Sequence, residues 1–453
     1  MRLPAIVALS AVVLAFAVLL IRGHVQGDLV LAGTESYRVL AGSASSMNVF
    51  GSQRPDTFAW LVSAVPGQMR VGFGVVLPLV FGALFCSLFY LLVRFGVRSD
   101  VSAAFMIGAA LISPAMLYLS TTLSVYSVSL SLVAACAWFV SRRRLGMAVL
   151  CATCVAPLDV FGWLVSMVFV VLFSSGVSVP DRWRAARIHV FFIALGGVAL
   201  SLFIFFATGA VPFLSSALTL DARHAFSSLG ASAGIPLGVL LLFLINLFLR
   251  RTRIRLVPPA LLWLLVPLAY VVDATRVYVF FVFAYYAGDL LAWFLVARWQ
   301  VKFLRPATVL LISCTILFSA LSFADRIVLD DPSPALLAAI RQIPLDGLVL
   351  SHESYGSYLA YEGRESFVGM GSSDDSRFGR AVFARSIADA GPVLDELGVR
   401  HILVTDEMKN GLLWDDANQG LLFVMAHSDR FLLEFSLPSQ GIEVWAYAPS
   451  DGG

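Results

Sequence analysis

A chain of 453 residues that is 59% apolar and only 13% charged carries roughly half the charged fraction of a soluble domain. Its formal net charge of +2 gives no sign of a nucleic-acid partner, because the basic residues are dispersed along the chain. With a mean hydropathy of +0.87, the solvent it is built for is the lipid bilayer. The five cysteines, Cys86, Cys136, Cys151, Cys154 and Cys314, all fall in apolar runs and read as small core hydrophobes.

Apolar runs long enough to cross a hydrocarbon core of ~30 Å lie near residues 4–21, 72–93, 101–119, 121–140, 188–207, 232–249, 257–272, 277–297 and 304–322. The first reads as a retained helix and not a signal peptide, because it exceeds a usual signal core and no small-residue cleavage site closes it. Residues 22–71 then form a large first outer loop. The stretch 145–174 is apolar as well, but about 30 residues is too long for one span. It breaks at Ala156-Pro157-Leu158-Asp159, where a proline beside a carboxylate suits a turn and is costly mid-bilayer. Two short helices folded back at that point are expected.

Charge tests the split. With the N-terminus inside, the clusters Arg94/Arg98, Arg142-Arg143-Arg144, Arg182/Arg184/Arg187, Arg250/Arg251/Arg253/Arg255 and Arg298/Lys302/Arg305 all face the cytoplasm, as the positive-inside rule requires. A single span over 145–174 would turn the later clusters outward. The chain is therefore expected to be an α-helical polytopic membrane protein of about eleven spans, with its N-terminus cytoplasmic in the plasma (inner) membrane. Residues 1–322 make the transmembrane domain.

Residues 323–453 return to polar sequence and read as an extracytoplasmic soluble α/β domain. Pro334–Arg341 and Ala388–Leu397 have helical patterning. Gly347–Ser351 and His401–Thr405 read as buried strands, and Phe431–Phe435 with Ile442–Tyr447 as a closing antiparallel pair.

Soluble catalytic motifs are missing: no phosphate-binding glycine loop, no nucleophile elbow, no paired-histidine zinc helix. Candidate chemistry sits in polar residues at the outer ends of helices. Glu35 follows the first span by about a dozen residues, beside Tyr37 and Arg38, with Asp28 as a competing carboxylate. A carboxylate there can act as a general base, help hold a divalent cation such as Mg or Mn, or simply cap a loop helix. Asp159 occupies the outward turn of the folded-back pair. Asp273 and Arg276 frame the outer start of the span 277–297, either paired with each other or, through Arg276, clamping a lipid phosphate. Asp289 lies inside the same span near Tyr285 and Tyr286.

This arrangement of first outer loop, hairpin-like short helices and outward α/β tail resembles the C-type membrane glycosyltransferases (GT-C), and within them the oligosaccharyltransferase catalytic subunit. Thr34-Glu-Ser-Tyr-Arg-Val-Leu40 is similar to that family's Asp-Pro-Trp/Tyr-Phe-x-x-Arg segment, with Glu35 at the place of the catalytic aspartate. Arg276-Val-Tyr-Val-Phe-Phe281 is similar to the start of a late span whose arginine contacts the lipid-linked pyrophosphate. Val349-Leu-Ser-His-Glu-Ser-Tyr-Gly-Ser-Tyr358 is similar to the segment carrying Trp-Trp-Asp-Tyr-Gly, which recognises the acceptor; only Tyr355 and Gly356 match. The family's second acidic motif has no counterpart in Leu119-Ser-Thr-Thr-Leu-Ser-Val-Tyr126, which lacks a carboxylate.

The resemblance implies a transferase that takes a sugar from a polyprenyl-phosphate or polyprenyl-pyrophosphate donor to an extracytoplasmic glycan or protein acceptor. In that role Glu35 and Asp159 are catalytic, while Tyr37, Arg38, Asp273, Arg276, Tyr355 and Gly356 bind substrate. A non-catalytic membrane assembly or binding subunit of the same fold is the alternative, and the missing second acidic motif favours it. A secondary transporter, a third class, would call for inverted repeats and broken helices.

Overall fold

The computed structural model of the chain describes residues 2–27, 31–42, 44–49, 52–96, 100–173, 179–212, 237–249, 273–296, 303–329, 332–369, 376–416 and 418–449. They form two compact units, one of residues 1–25 with 44–329, the other of residues 26–43 with 330–453. Residues 26–43, which the sequence assigns to the first outer loop, thus belong to the same unit as the tail.

The first unit is helical. Its helices are α1 (Arg2–Gln26, whose last residue enters the second unit), α3 (Thr57–Ser63), α4 (Gly67–Gly96), α5 (Asp100–Leu111), α6 (Pro114–Thr121), α7 (Val125–Ser141), α8 (Leu145–Val155), α9 (Val160–Phe173), α10 (Val179–Thr208), α11 (Leu237–Leu249), α12 (Asp273–Val296) and α13 (Leu304–Leu329). A short antiparallel hairpin, β1 (Ala44–Val49) with β2 (Ser52–Pro55), precedes α3. Among the described residues, five helices are long and apolar enough to cross a membrane, or six if the bent pair α5–α6 counts as one span. That pair turns by 58° at Ile112-Ser113, where Ser113 caps α6 and Pro114 takes its first position. The expected span 257–272 lies outside the described residues.

The break at 156–159 occurs as a turn between two short helices. At 11 residues, α8 reaches only about 16 Å, roughly half a bilayer core. Val170 near the end of α9 joins one buried cluster with Val140, Ala148, Cys151 and Ile193, so α9 returns to the level where α8 began. Gly197 of α10 lies against Ala156 and Trp163 on either side of the turn; the small residue lets backbones approach closely.

Peripheral helices carry large apolar residues outward, as on α1 (Leu3, Ile6, Leu9, Val13) and α10 (Phe191, Phe192, Leu195, Phe203). By contrast α12 is buried nearly all round, including Val277, Phe280, Phe283, Ala284, Ala287 and Leu291, the mark of a helix at the centre of a bundle. It packs most closely on α5. A Cβ built on Gly288 would fall 2.5 Å from both N and Cα of Met106.

The second unit holds α2 (Thr34–Leu40), α14 (Pro334–Gln342), α15 (Glu353–Tyr361), α16 (Ser376–Val382), α17 (Ile387–Leu397) and α18 (Gly420–His427) around a five-stranded sheet. The strands are β3 (Leu348–His352), β4 (Ser366–Gly369), β5 (Val399–Val404), β6 (Phe431–Leu437) and β7 (Ile442–Tyr447), in the order β4-β3-β5-β7-β6. β3 is parallel to both β4 and β5, while β7 is antiparallel to β5 and β6. The mixed sheet with helices is the expected α/β tail, and α14, α17, β3, β5 and the β6–β7 pair fall within two residues of their sequence positions. β4, α16 and α18 come in addition.

The Gly288 contact yields a test. Gly288→Val should force α5 and α12 apart and cost about 1–3 kcal/mol, lowering the thermal midpoint of the detergent-solubilised protein. Gly72→Ala, whose Cβ meets nothing within 4 Å, should leave the midpoint within experimental error. Equal midpoints for both variants would contradict the packing described.

Candidate functional site

In the membrane unit the site is built around Asp159. Its carboxyl sits just ahead of α9, and one oxygen accepts the backbone N–H of Phe161 at 2.9 Å while its carbonyl accepts that of Trp163 at 3.1 Å; this is an N-cap. The other oxygen accepts the hydroxyl of Tyr278 from α12 and lies 3.4 Å from Ser129 Oγ of α7. With the tyrosine's proton committed to the carboxyl, Ser129 donates to the phenol oxygen at 2.7 Å. Three helices are tied at one carboxyl that is only 1% exposed. The sequence places Asp159 at an open turn; the structure encloses it, because its acceptor oxygens need donors that lipid does not supply.

Tyr278 is also part of the wall of an apolar cleft of about 130 Å³ between α4, α7, α9 and α12, lined by Phe85, Phe89, Val133, Val165 and Phe281. That volume is near the ~150 Å³ of a cavity that admits a benzene-sized group. Asp273 and Arg276 stand in the first turn of α12, with Arg276 two residues ahead of Tyr278. Asp289 lies further along the same helix, 3.5 Å from Asn246 Nδ2 of α11. The turn between α6 and α7 carries buried Ser120, Thr121, Thr122 and Ser124 and no carboxylate; Thr121 Oγ1 donates to Leu117 O at 2.7 Å and Ser124 Oγ accepts the Tyr126 N–H at 3.2 Å.

In the second unit, Glu35 lies in the first turn of α2 and pairs with Arg38 one turn on, at 3.5 Å. Both side chains keep partial exposure, 18% for Glu35 and 28% for Arg38. Tyr37 is buried and meets Tyr358 and Tyr361 of α15 edge-on, at 5.1 and 5.0 Å between ring centroids. Residue 28 falls outside the described residues.

Tyr355 and Gly356 sit on the first turns of α15 but do not face open space. Tyr355 is 1% exposed; its hydroxyl donates to Glu407 Oε2 at 2.9 Å and accepts from Thr405 Oγ1 at 2.8 Å. Gly356 lets α15 lie against Val368 of β4, where a Cβ would meet the valine methyls at 3.3 and 3.4 Å. His352 ends β3 and caps α15, accepting the Ser354 N–H at Nδ1. Burial holds this imidazole below the ordinary histidine range, opposed by the Glu407 carboxylate. Burial also raises Glu353 above the ordinary glutamate value.

Among the described residues, no three histidine, cysteine, aspartate or glutamate side chains converge as metal ligands, so the donor sets seen here do not fit a divalent cation. Residue patterns alone did not reveal Tyr278, Ser129, His352 or Glu407. Ser124, Ser127, Ser129 and Ser131 recurring through an apolar helix were the available signal for the first two.

No family model and no curated protein matches the chain, whereas solved structures do. The apo oligosaccharyltransferase of Archaeoglobus fulgidus matches with a TM-score of 0.54 and 14% identity over 98% of this chain and 74% of its own. The same enzyme tethered to an acceptor peptide containing the NVT sequon gives 0.53 with the same identity and coverage. Its complex with an inhibitory peptide and a dolichol-phosphate gives 0.54, and its complex with Zn and sulfate 0.53 at 15% identity over 89% of this chain and 68% of that one. The likeness is one of fold, and it is the fold that the sequence resemblance implies.

Two outcomes are expected from this geometry. Tyr278→Phe strips a donor from a buried carboxyl and should cost about 1–3 kcal/mol, and the double variant with Ser129→Ala should lose less than the sum of the single losses. Additive losses in thermal unfolding would refute a shared network. For His352, the unfolded chain takes up a proton near the ordinary histidine value of 6.5 while the folded form resists it. Its share of stability is therefore present above that value and lost as pH falls. Melting curves between about pH 7.5 and 5.5 should fall more steeply for the wild type than for His352→Gln, and parallel curves would contradict this.

Proposed function

We propose that the chain is a membrane glycosyltransferase that moves a sugar from a polyprenyl-phosphate or -pyrophosphate donor to an acceptor outside the cytoplasm. The observation that carries this is the fold likeness, which runs over nearly the whole chain and takes in both the membrane unit and the α/β unit. The oligosaccharyltransferase it resembles has been captured with a dolichol-phosphate and with acceptor peptides, so a lipid-linked donor is the fitting class for a protein of this shape. On this reading the N-terminus is cytoplasmic, the membrane is the plasma membrane, and the second unit faces outward, as the arginine clusters demand.

The reaction needs an acceptor O–H or N–H to attack the anomeric carbon while the bond from that carbon to the phosphate oxygen breaks. Glu35 takes the acceptor proton, with Arg38 fixing its carboxylate through their ion pair. The family resemblance assigns Arg276 to the departing phosphate, where a guanidinium would stabilise the charge gathering on it. The apolar cleft beside Tyr278 receives part of the lipid chain, at a gain of about 25 cal/mol for each Å² of apolar surface covered. Asp159, enclosed and bound by the Phe161 N–H and the Tyr278 hydroxyl, touches no substrate. It positions Tyr278, so its contribution is to the shape of the cleft.

A second reading, a non-catalytic subunit of the same fold, is favoured by the hydroxyl-only turn between α6 and α7 and by the absence of a three-ligand metal cluster among the described residues. One experiment separates them. Membranes carrying the wild type or Glu35→Gln are given labelled polyprenyl-phosphate and polyprenyl-pyrophosphate sugars, and transfer of label to water-soluble product is followed. The wild type should transfer, and the variant should lose at least ~100-fold, the scale of a lost general base. Equal transfer by both would remove Glu35 from the mechanism; no transfer by the wild type with any donor would sustain the non-catalytic reading.

A further inference from the structure

The turn that joins α7 to α8 carries a feature that the transferase reading does not use. At the end of α7 the N–H of Arg144 donates to Phe139 O and that of Arg143 to Val140 O, both at 2.9 Å. This pair of bonds needs a left-handed residue just past the helix end, a position usually given to glycine. Here it is Arg143, at φ 58°, the only non-glycine residue with positive φ among the described residues. A β-carbon in that conformation crowds the following carbonyl and strains the backbone.

Arg142, Arg143 and Arg144 are all exposed, and among the described residues none of the three has a carboxylate partner. Arg94, at the end of α4, is by contrast paired with Asp100. Arg142 lies 6.0 Å over the Trp138 ring, a contact that places the guanidinium and leaves its N–H groups unused. Three like charges gathered in one strained turn are more than membrane orientation asks for. The charge bias that orients a chain can be dispersed, can be lysine and needs no left-handed backbone.

Directly after the arginines comes α8, whose reach of about 16 Å is the depth of one leaflet. Met147, Leu150 and Cys154 recur at helical spacing and are exposed along one of its faces. A free anion would answer the arginines and leave this apolar face without a role. A zwitterionic headgroup brings an ammonium that three guanidinium groups repel. An anionic headgroup brings the phosphate alone, whose oxygens match the paired N–H groups of the guanidinium fork. We propose that the α7–α8 turn binds an anionic phospholipid, with its phosphate on the three arginines and an acyl chain along the exposed face of α8. On the orientation proposed above, this lipid belongs to the cytoplasmic leaflet; the site itself does not depend on the transferase reading.

Thermal unfolding of the full chain in a neutral detergent tests it, since a ligand of the folded form raises the midpoint. The additions are dioleoyl phosphatidylglycerol, dioleoyl phosphatidylcholine and soluble glycerol 3-phosphate. Phosphatidylglycerol should raise the midpoint of the wild type, and the other two should move it little. Replacing all three arginines by glutamine should abolish that shift, and replacing them by lysine, which keeps the charge but not the fork, should leave only part of it. Arg143→Gly should melt no lower than the wild type without lipid, because glycine relieves the strain, yet respond less to phosphatidylglycerol. Each shift is read against the same variant without lipid, so a weaker fold does not imitate a loss of binding. Equal shifts with both phospholipids, or a full shift in the glutamine variant, would overturn the site. A shift as large with glycerol 3-phosphate would overturn the lipid as its occupant. An equal loss on replacing Arg250, Arg251 and Arg253 by glutamine would reveal a diffuse charge effect and overturn the site as well.

Discussion

A carboxyl group taken out of water must find hydrogen-bond donors inside the protein, and the organisation of the membrane unit follows from where Asp159 finds them. One oxygen is served by the Phe161 N–H at the start of α9, the other by the Tyr278 hydroxyl of α12, whose oxygen in turn accepts from Ser129 of α7. This pins the turn after α8 against two helices far apart in the chain. It also stops α8 and α9 from merging into a single apolar helix, since α9 must begin where its cap is held. The return of α9 is what brings Val170 to the level of Ala148, and on the proposed orientation it is what keeps the downstream arginines on one side.

The sequence disclosed the break and hid its partners, for a physical reason. Proline beside a carboxylate in a 30-residue apolar run is a local contradiction that only a turn resolves. Tyr278 lies in a helix buried nearly all round, so no apolar periodicity marks the side that faces Asp159. The soluble tail was easier to read. Buried strands such as β3 and β5 are short β-rich runs bounded by turns, and α17 shows an apolar stripe with a serine cap and a closing glycine. β4 has only four residues, too few for alternation to be seen, and α18 is uniformly apolar in its middle. The grouping of residues 26–43 with the tail depends on Tyr37 meeting Tyr358 and Tyr361, a pairing across more than 300 residues of chain that local pattern cannot announce.

The candidate residues divide by what the fold does with them. Glu35 keeps a partly exposed carboxylate with an arginine to hold it, which suits a base. Asp159 is enclosed and organises its neighbours. Tyr355 and Gly356, the two positions matching an acceptor motif, serve as an internal hydrogen-bond relay and a helix–sheet contact.

The central claim is that this protein works on a lipid-linked sugar. Native mass spectrometry of the detergent-released protein, before and after addition of a polyprenyl-phosphate sugar, tests it most directly. The account predicts a stoichiometric adduct of the mass of the polyprenyl species, diminished when Phe281 in the cleft wall is replaced by tryptophan. Adducts of bulk phospholipid alone, unchanged by an excess of the polyprenyl donor, would contradict it.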